Sequence, residues 1–365
     1  MRLTLFLDHQ CNLRCTYCYN GEKFARPMSF QTACKAVDMV VDSDRPLKQI
    51  GFFGGEPMLR FDLIRDITGH ARQRTAACPT PVTMVVTSNA TLFTPEHVAW
   101  LADNRFHLGV SIDGCPQAHD ACRVRADGSG SHAPVAAGIR RAIEAGLPVK
   151  SISVIDPANA HLLPESLDHL LDLGLRQMSF NLNYEAEWDD AARERFLAAL
   201  HVFADRYADA FRRGTRFKLN LLDSKIVTHL KGGFACSDRC DFGCEELAVS
   251  PTGRLYPCDR LIGMDDRDDV VIGTVETGVD KGRRDALIQA KNAVLDDCAD
   301  CEYVMRCMHW CGCVNYAMTG SVGGVSGLLC WFEQALIEQA DRVAEMLYAE
   351  KNPTFLERFY GPVIE

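Results

Sequence analysis

The stretch Asp8-His9-Gln10-Cys11-Asn12-Leu13-Arg14-Cys15-Thr16-Tyr17-Cys18-Tyr19 decides the reading of this chain. Its cysteines are spaced Cys-x3-Cys-x2-Cys and directly follow a short apolar run, Leu3 to Leu7. Three thiolates on one tight loop can hold three corners of a four-iron cluster, leaving the fourth iron without a protein ligand. An open metal position is where chemistry takes place, whereas a closed one is structural or carries electrons. Such an iron requires a ligand of its own, and the following segments supply candidates for holding one.

At 365 residues, 47% hydrophobic and 24% charged, the chain suits one large globular domain or two. A net charge of −10 argues against a nucleic-acid partner, because phosphate binding needs a basic face. The same charge serves solubility. Seventeen cysteines cluster at 11–18, 236–258 and 298–330. A secreted disulfide scaffold fits poorly, since the chain is long, has an ordinary apolar content and shows no signal peptide. No stretch approaches the roughly 18 apolar residues of a membrane span. Clustered cysteines in a cytoplasmic protein read as metal ligands, and that is the location expected.

From residue 3 to about 213, strand-like and helix-like segments alternate. Strands are expected at 3–8, 49–53, 82–88, 107–112, 149–155 and 177–183, most of them short and rich in Val, Ile, Leu or Phe. Helices are expected at 29–43, 59–77, 95–103, 132–145, 163–173 and 189–213. Ser29 and Thr94 fit N-caps, Pro95 a first helical position, and Gly146 and Gly174 helix stops. Six βα units in series imply an α/β fold with a parallel sheet curled into a partial (β/α)6 barrel. Sites in such folds lie at the carboxyl ends of the strands, where Cys11, Cys15 and Cys18 fall.

The second strand ends Gly51-Phe52-Phe53-Gly54-Gly55-Glu56-Pro57, where two glycines let backbone approach a ligand closely and Pro57 fixes the exit. One βα unit after the three-cysteine loop, this turn resembles the Gly-Gly-Glu-Pro motif of the radical SAM superfamily, and the cysteine run resembles that family's signature. The resemblance implies that the open iron binds S-adenosylmethionine and that Gly54, Gly55 and Glu56 hold its amino group. Tyr17 within the cysteine run is read as a further cofactor contact. The third strand ends Thr87-Ser88-Asn89-Ala90-Thr91, where Ser88 and Asn89 either face the cofactor or close a turn on their own backbone. The fourth ends Ser111-Ile112-Asp113-Gly114, followed by His119-Asp120-Ala121-Cys122-Arg123, similar to a stretch of peptide-modifying radical SAM enzymes. It implies ribose contacts from Ser111 and a carboxylate contact from Arg123, whose fork suits that task. Asp113 can instead cap a turn. Ser153, Asn181, Asn183 and Tyr184, at the ends of the next strands, either line the mouth of the barrel or end the strands.

The carboxyl third is organised by a second cysteine set. Cys236, Cys240 and Cys244 precede a hairpin, Val249 to Cys258, whose turn holds Pro251, Thr252 and Gly253. Cys298-x2-Cys301-x5-Cys307-x3-Cys311, Cys313 and Cys330 follow. Four such cysteines could hold zinc or an iron-sulfur cluster. The full pattern resembles the SPASM domain of radical SAM enzymes, which houses two auxiliary four-iron clusters. Carried over, one cluster takes Cys240, Cys244, Cys258 and Cys311, and the other Cys298, Cys301, Cys307 and Cys330. Cys236 is an alternative to Cys240 or Cys244, and three ligands alone would leave that cluster with an open iron. Cys34 and Cys78 fall on expected helices and read as buried small apolar residues. The expected organisation is a radical SAM barrel over 1–230, a SPASM domain over 231–335 and a carboxyl-terminal helix over 336–365 packing on the barrel.

The resemblance implies three [4Fe-4S] clusters and S-adenosylmethionine, which together yield a 5′-deoxyadenosyl radical. That radical takes hydrogen from an unactivated substrate carbon, and the auxiliary clusters accept the electron left behind. Asp259, directly after Cys258 in Tyr256-Pro257-Cys258-Asp259, corresponds to an aspartate acting as base in sulfatase-maturing relatives; its other reading is a surface carboxylate paired with Arg260. A peptide or protein substrate is implied, with a low-potential donor such as flavodoxin or ferredoxin. The chain begins at its first strand, without a leader-binding domain, so a separate leader-binding protein or the barrel itself would read the peptide. The favoured activity is modification of a ribosomally made peptide by a thioether or carbon–carbon cross-link or related oxidation. Formylglycine formation in a sulfatase is the second reading. Oxidation of a small molecule is the third; from a different class, a non-catalytic electron carrier is a further one, and Gly54-Gly55-Glu56-Pro57 argues against it, since a carrier needs no cofactor cradle.

Overall fold

The computed structural model describes residues 1–78, 81–235, 238–293 and 295–361. Its principal strands are β1 (Arg2–Phe6), β2 (Gln49–Phe53), β3 (Thr83–Ser88), β4 (Phe106–Ser111), β5 (Val149–Ile155), β6 (Gln177–Leu182), β7 (Lys218–Leu219), β8 (Glu246–Val249) and β9 (Leu255–Tyr256). The six expected strands correspond to β1–β6. The six expected helices are present as Phe30–Val41, Phe61–Thr75, Pro95–Asp103, His132–Glu144, Leu163–Asp172 and Asp190–Arg212. Their ends follow the expected chemistry. The Ser29 hydroxyl accepts from the Thr32 amide at 3.0 Å and Thr94 from the His97 amide at 3.2 Å. Gly146 and Gly174 take positive φ beyond their helices.

By its contacts the chain falls into two units, each assembled from separate stretches. The first comprises Met1–Ser111, Arg123–Val149 and Cys240–Ala293, the second Ile112–Cys122, Lys150–Arg239 and Val294–Glu365. In the first, β1, β2, β3 and β4 pair in parallel in chain order, with Leu3 opposite Ile50 and Ile50 opposite Met84. Leu3, Leu5, Phe6, Ile50, Phe52 and Val86 are buried, as strands covered on both faces require. The hairpin expected around Gly253 is β8 and β9, paired antiparallel. Local pattern did not reveal that β8 also runs parallel to β1, with Leu5 opposite Val249. Such a pairing joins residues some 240 positions apart and leaves no periodic trace in either strand. It attaches the hairpin that precedes Cys258 to the sheet that carries the first cysteine loop.

In the second unit β5, β6 and β7 pair in parallel. Helices Asp190–Arg212, Asn220–Lys231 and Gly327–Ala349 pack together around Phe196, Phe203, Tyr207, Leu336 and Ile337. The last of these contains the apolar pattern read at the carboxyl end. Two expectations for surplus cysteines change. Cys34 is only half-buried on its helix, and Cys78 is half-buried three residues beyond the end of Phe61–Thr75. Helix periodicity assigned them to apolar faces that the packing does not fully cover. Cys236 lies outside the described residues. Among the described residues no helix is long and apolar enough to cross a membrane.

Leu5 sits between β2 and β8 and is fully buried. Leu5→Ala is expected to destabilise the chain by about 2–5 kcal/mol, and Leu197→Ala, at an exposed position, by under about 0.5 kcal/mol. Denaturant unfolding of both variants checks the assignment.

Candidate functional site

The ends of β1, β2 and β3 converge. Beyond β1, the Leu7 amide donates to the Phe53 carbonyl at 2.8 Å, the Gly55 amide to Asp8 at 2.8 Å and the Glu56 amide to Gln10 at 2.9 Å. The glycine turn therefore lies directly on the backbone entering the cysteine loop. A Cβ at Gly54, where φ is +140°, would come within 2.6 Å of the Asp8 carbonyl oxygen; one at Gly55 would come within 2.3 Å of that of Gln10. Only glycine permits this approach. Asn20, after the last cysteine, donates its Nδ2 to the Gly54 carbonyl at 3.1 Å and secures the far end of the loop.

Asp8 anchors the near end. It is 1% exposed, and its Oδ1 accepts the Gln10 and Arg26 amides at 3.2 and 2.8 Å. Its Oδ2 accepts Arg60 Nε at 2.7 Å. A buried carboxylate is tolerable here because each oxygen is bonded and a guanidinium balances the charge. Neither Asp8 nor Arg60 emerged from the sequence reading; the available signal was a charged residue immediately after an apolar strand.

Glu56 joins this assembly to β3. Its Oε1 accepts the Met58 amide at 3.0 Å and the Ser88 hydroxyl at 2.8 Å, and Oε2 accepts the Asn89 amide at 2.8 Å. Burial raises its pKa to about 7, against the opposing effect of those three bonds. Asn89 closes a turn, one of the two alternatives left open for it, and also reaches the cysteine loop. Its Oδ1 accepts the Thr91 amide and hydroxyl at 3.1 and 2.6 Å, closing a turn. Its Nδ2 donates to Asn12 Oδ1 at 2.9 Å and faces Cys11 Sγ at 3.8 Å. Asn12, within the cysteine loop, donates in turn to Thr91 at 2.8 Å.

Around the thiols, Lys23 Nζ donates to Cys18 Sγ at 3.0 Å and the Leu13 amide to Cys11 Sγ at 3.4 Å. Arg123 lies over the Tyr17 ring at 5.2 Å, and the neighbouring Val124 carbonyl accepts the Arg14 amide at 2.7 Å. The 123–125 segment is thus docked on the cysteine loop. Burial, with added repulsion from Glu56, Cys15 and Cys18, pushes the Cys11 thiol up to about 12. Such a set of thiols is suited to deprotonation by metal. Ser111 ends β4 half-buried. In the second unit Asp113 caps, its Oδ1 accepting the Val154 amide at 2.8 Å. There Ser153 donates to the Ile112 carbonyl at 2.6 Å, Asn183 ties to Asp156 at 2.8 Å, and Tyr184 packs on Phe332. Asn181 ends β6 exposed.

Tyr19 connects this loop to the hairpin. The Arg260 guanidinium lies 4.8 Å from its ring, and Phe53 stacks with it at 6.4 Å. Burial raises the Tyr19 pKa, and the charges of Asp259, Cys258 and Cys18 raise it further. Asp259 is thereby brought to the cysteine loop, with its Oδ1 3.5 Å from Cys258 Sγ and its pKa raised by burial. The Gly243 amide donates to the Pro257 carbonyl at 3.2 Å, holding the Cys240–Cys244 turn against Cys258. Cys240 Sγ faces Glu246 Oε2 at 3.7 Å.

In the second unit Cys298, Cys301, Cys307 and Cys330 line one cavity of about 200 Å³. Burial raises the Cys307 and Cys330 thiols, and repulsion from Glu333 adds to both. Among the described residues no three His, Cys, Asp or Glu side chains stand close enough to share a single ion. Four thiols around a cavity suit a cluster better than zinc. Cys311 caps the helix Gly312–Thr319, its sulfur 3.7 Å from that of Cys313.

Residues 8–170 match the Radical SAM superfamily. The chain carries a radical SAM domain. The cradle fits the group this family implies, a four-iron cluster with S-adenosylmethionine: three thiols on one loop beside a glycine turn free of side chains. Over its whole length the chain is 24% identical to a PqqA peptide cyclase of Rhodopseudomonas palustris, covering 96% of that protein. An uncharacterized protein of Methanocaldococcus jannaschii is 30% identical over 180 residues, 49% of this chain, which spans 62% of that relative. The solved structure of anSMEcpe with bound AdoMet superposes with a TM-score of 0.80 at 18% identity, covering 96% of this chain and 100% of that one. The radical SAM fold that the resemblance implied is therefore the fold observed.

Glu56 supplies a pH test of the cradle. A carboxyl with a raised pKa favours the folded state when protonated, so its contribution is greatest below about pH 4.5 and is lost as pH rises through about 7. Between pH 5 and 8 the unfolding free energy of the wild-type apoprotein is expected to fall by about 3 kcal/mol relative to Glu56→Gln, measured by parallel denaturant titrations. Parallel profiles would contradict the assignment.

Proposed function

We propose that this radical SAM enzyme modifies a peptide or protein by a net two-electron oxidation, with a thioether or carbon–carbon cross-link in a ribosomally made peptide as the favoured outcome. The observation that carries this reading is the alignment of the entire chain with a peptide cyclase. Cys11, Cys15 and Cys18 would hold the first cluster. The bare backbone at Gly54 and Gly55 would receive the methionyl end of S-adenosylmethionine, with Tyr17, Ser88, Asn89, Ser111 and Arg123 as further cofactor contacts. Glu56 acts by bracing two of those segments against each other, as its bonds to Ser88 and Asn89 support.

Bound together, cluster and S-adenosylmethionine supply a 5′-deoxyadenosyl radical that removes hydrogen from an unactivated carbon. Asp259 accepts the proton released in the oxidation, and the burial that raises its pKa makes it a better acceptor. Two auxiliary clusters, held by the second cysteine set, would provide the electron exit. One takes Cys298, Cys301, Cys307 and Cys330; the other takes Cys240, Cys244 and Cys258, with Cys311 as the fourth ligand on the sequence reading. Region 231–335 would be the SPASM domain housing them, between a barrel over 1–230 and a helix over 336–365. The electron donor would be flavodoxin or ferredoxin in the cytoplasm. The second reading, formylglycine formation in a sulfatase, is favoured by the placement of Asp259 beside Cys258 at the cysteine loop.

Anaerobic reconstitution is expected to yield about twelve irons per chain, falling to about eight in Cys298→Ala. With reductant, S-adenosylmethionine and a candidate peptide, 5′-deoxyadenosine should accumulate, and Cys15→Ala should abolish it. Asp259→Asn should retain 5′-deoxyadenosine formation while lowering modified peptide by about 10²-fold or more. Absence of 5′-deoxyadenosine from the reconstituted wild type would overturn the enzyme reading. A sulfatase peptide turned over in preference to small ribosomal peptides would establish the second one.

A further inference from the structure

A buried ion pair stands against the four-thiol cavity. Lys225 and Glu333 are 1% and 2% exposed in their side chains, and Lys225 Nζ lies 2.6 Å from Glu333 Oε2. Glu333 lines the cavity with Cys298, Cys301, Cys307 and Cys330. It follows Cys330 by three residues on the helix Gly327–Ala349, which places both on one helical face. Its Oε2 also accepts the Met308 amide at 2.6 Å, fixing the chain directly after Cys307. Lys225, from the helix Asn220–Lys231, donates to the Arg306 carbonyl at 3.2 Å, directly before Cys307, and lies 5.4 Å from the Phe234 ring. Arg306 returns a bond to the Lys225 carbonyl at 3.0 Å and grips Asp341 with two bonds of 2.7 and 2.6 Å. The residues on both sides of Cys307 are thus held by this pair.

A scaffold alone does not require charge in such a place. Burying an ammonium and a carboxylate costs several kcal/mol each, and a well-packed apolar pair of similar volume is often as stable. A four-iron cluster with four thiolates is anionic, and its reduction potential responds to nearby charge because reduction adds one more electron in a region of low dielectric. We propose that the Lys225–Glu333 pair sets the reduction potential of an iron-sulfur cluster in this cavity, its ammonium and carboxylate holding the local charge in balance. Lys225 and Glu333 are positioning residues, since neither is a ligand. The proposal rests on the reading that the four thiols hold a cluster, and the two fail separately: if no cluster is held, Cys298→Ala loses no iron.

The test is an EPR-monitored redox titration of the reconstituted full chain beside three variants. Glu333→Gln retains an acceptor for the Met308 amide and leaves the Lys225 charge uncompensated. It should raise the potential of one auxiliary cluster, leave the other two clusters unmoved and retain the iron content. Lys225→Met should move that same cluster downward. The double variant Lys225→Met/Glu333→Leu, neutral again, should return it to near the wild-type value. Opposite shifts that cancel are the signature of charge, which a purely structural role would not produce. Potentials unchanged in the single variants, shifts of the same sign in both, or loss of the cluster's iron from all three variants would overturn the proposal.

Discussion

The candidate site depends on one close approach. The backbone of Gly54 and Gly55 lies on the carbonyls of Asp8 and Gln10 with no room for a side chain, since a Cβ at Gly55 would stand 2.3 Å from an oxygen. The parallel register of β1 and β2 delivers the two segments together, and the amides of Gly55 and Glu56 bond across the gap. Once that contact is made, the positions of the other groups follow. Asp8 is enclosed beside Arg60, Glu56 reaches the end of β3, and Asn89 reaches back to the cysteine loop. Three consecutive strand ends become one rigid floor beneath three thiols. Its polar groups are buried but bonded, and such networks hold a single geometry.

The hairpin before Cys258 is joined to the sheet of this floor. β8 pairs with β1, and the Arg260 guanidinium, two residues after Cys258, lies 4.8 Å from the ring of Tyr19, which follows the last cysteine of the loop. The charges of Asp259, Cys258 and Cys18 raise the pKa of that tyrosine. In the second unit, four thiols, a cavity and a buried ion pair form a separate assembly in which no residue of the cofactor cradle takes part.

Much of this was legible in the sequence, and the parts that were not have physical reasons. Strands and helices of the first 213 residues were visible because buried parallel strands read as short apolar runs bounded by caps and glycines, as at Ser29, Thr94 and Gly146. The cysteine loop and Gly54-Gly55-Glu56 were visible because their spacing is local. Pairing of β8 with β1 was not, since parallel partners far apart in sequence impose no period on each other. Asp8, Arg60 and Lys225 were missed because a charged residue looks alike whether it faces solvent or a buried partner. That Glu56 also braces β2 against β3, through hydrogen bonds to Met58, Ser88 and Asn89, has no local sequence signal. Cys34 and Cys78 show the converse error, in which apolar periodicity was taken for complete burial.

The central claim is that the floor built by Gly54, Gly55, Glu56 and Asn89 presents S-adenosylmethionine to an open iron held by Cys11, Cys15 and Cys18. Its most direct test is the EPR spectrum of the reduced, reconstituted chain recorded before and after S-adenosylmethionine is added. The account predicts that one cluster's signal changes on addition, and that this change is absent from Cys15→Ala while the auxiliary signals persist. Spectra that are superimposable with and without S-adenosylmethionine in the fully loaded wild type would contradict it.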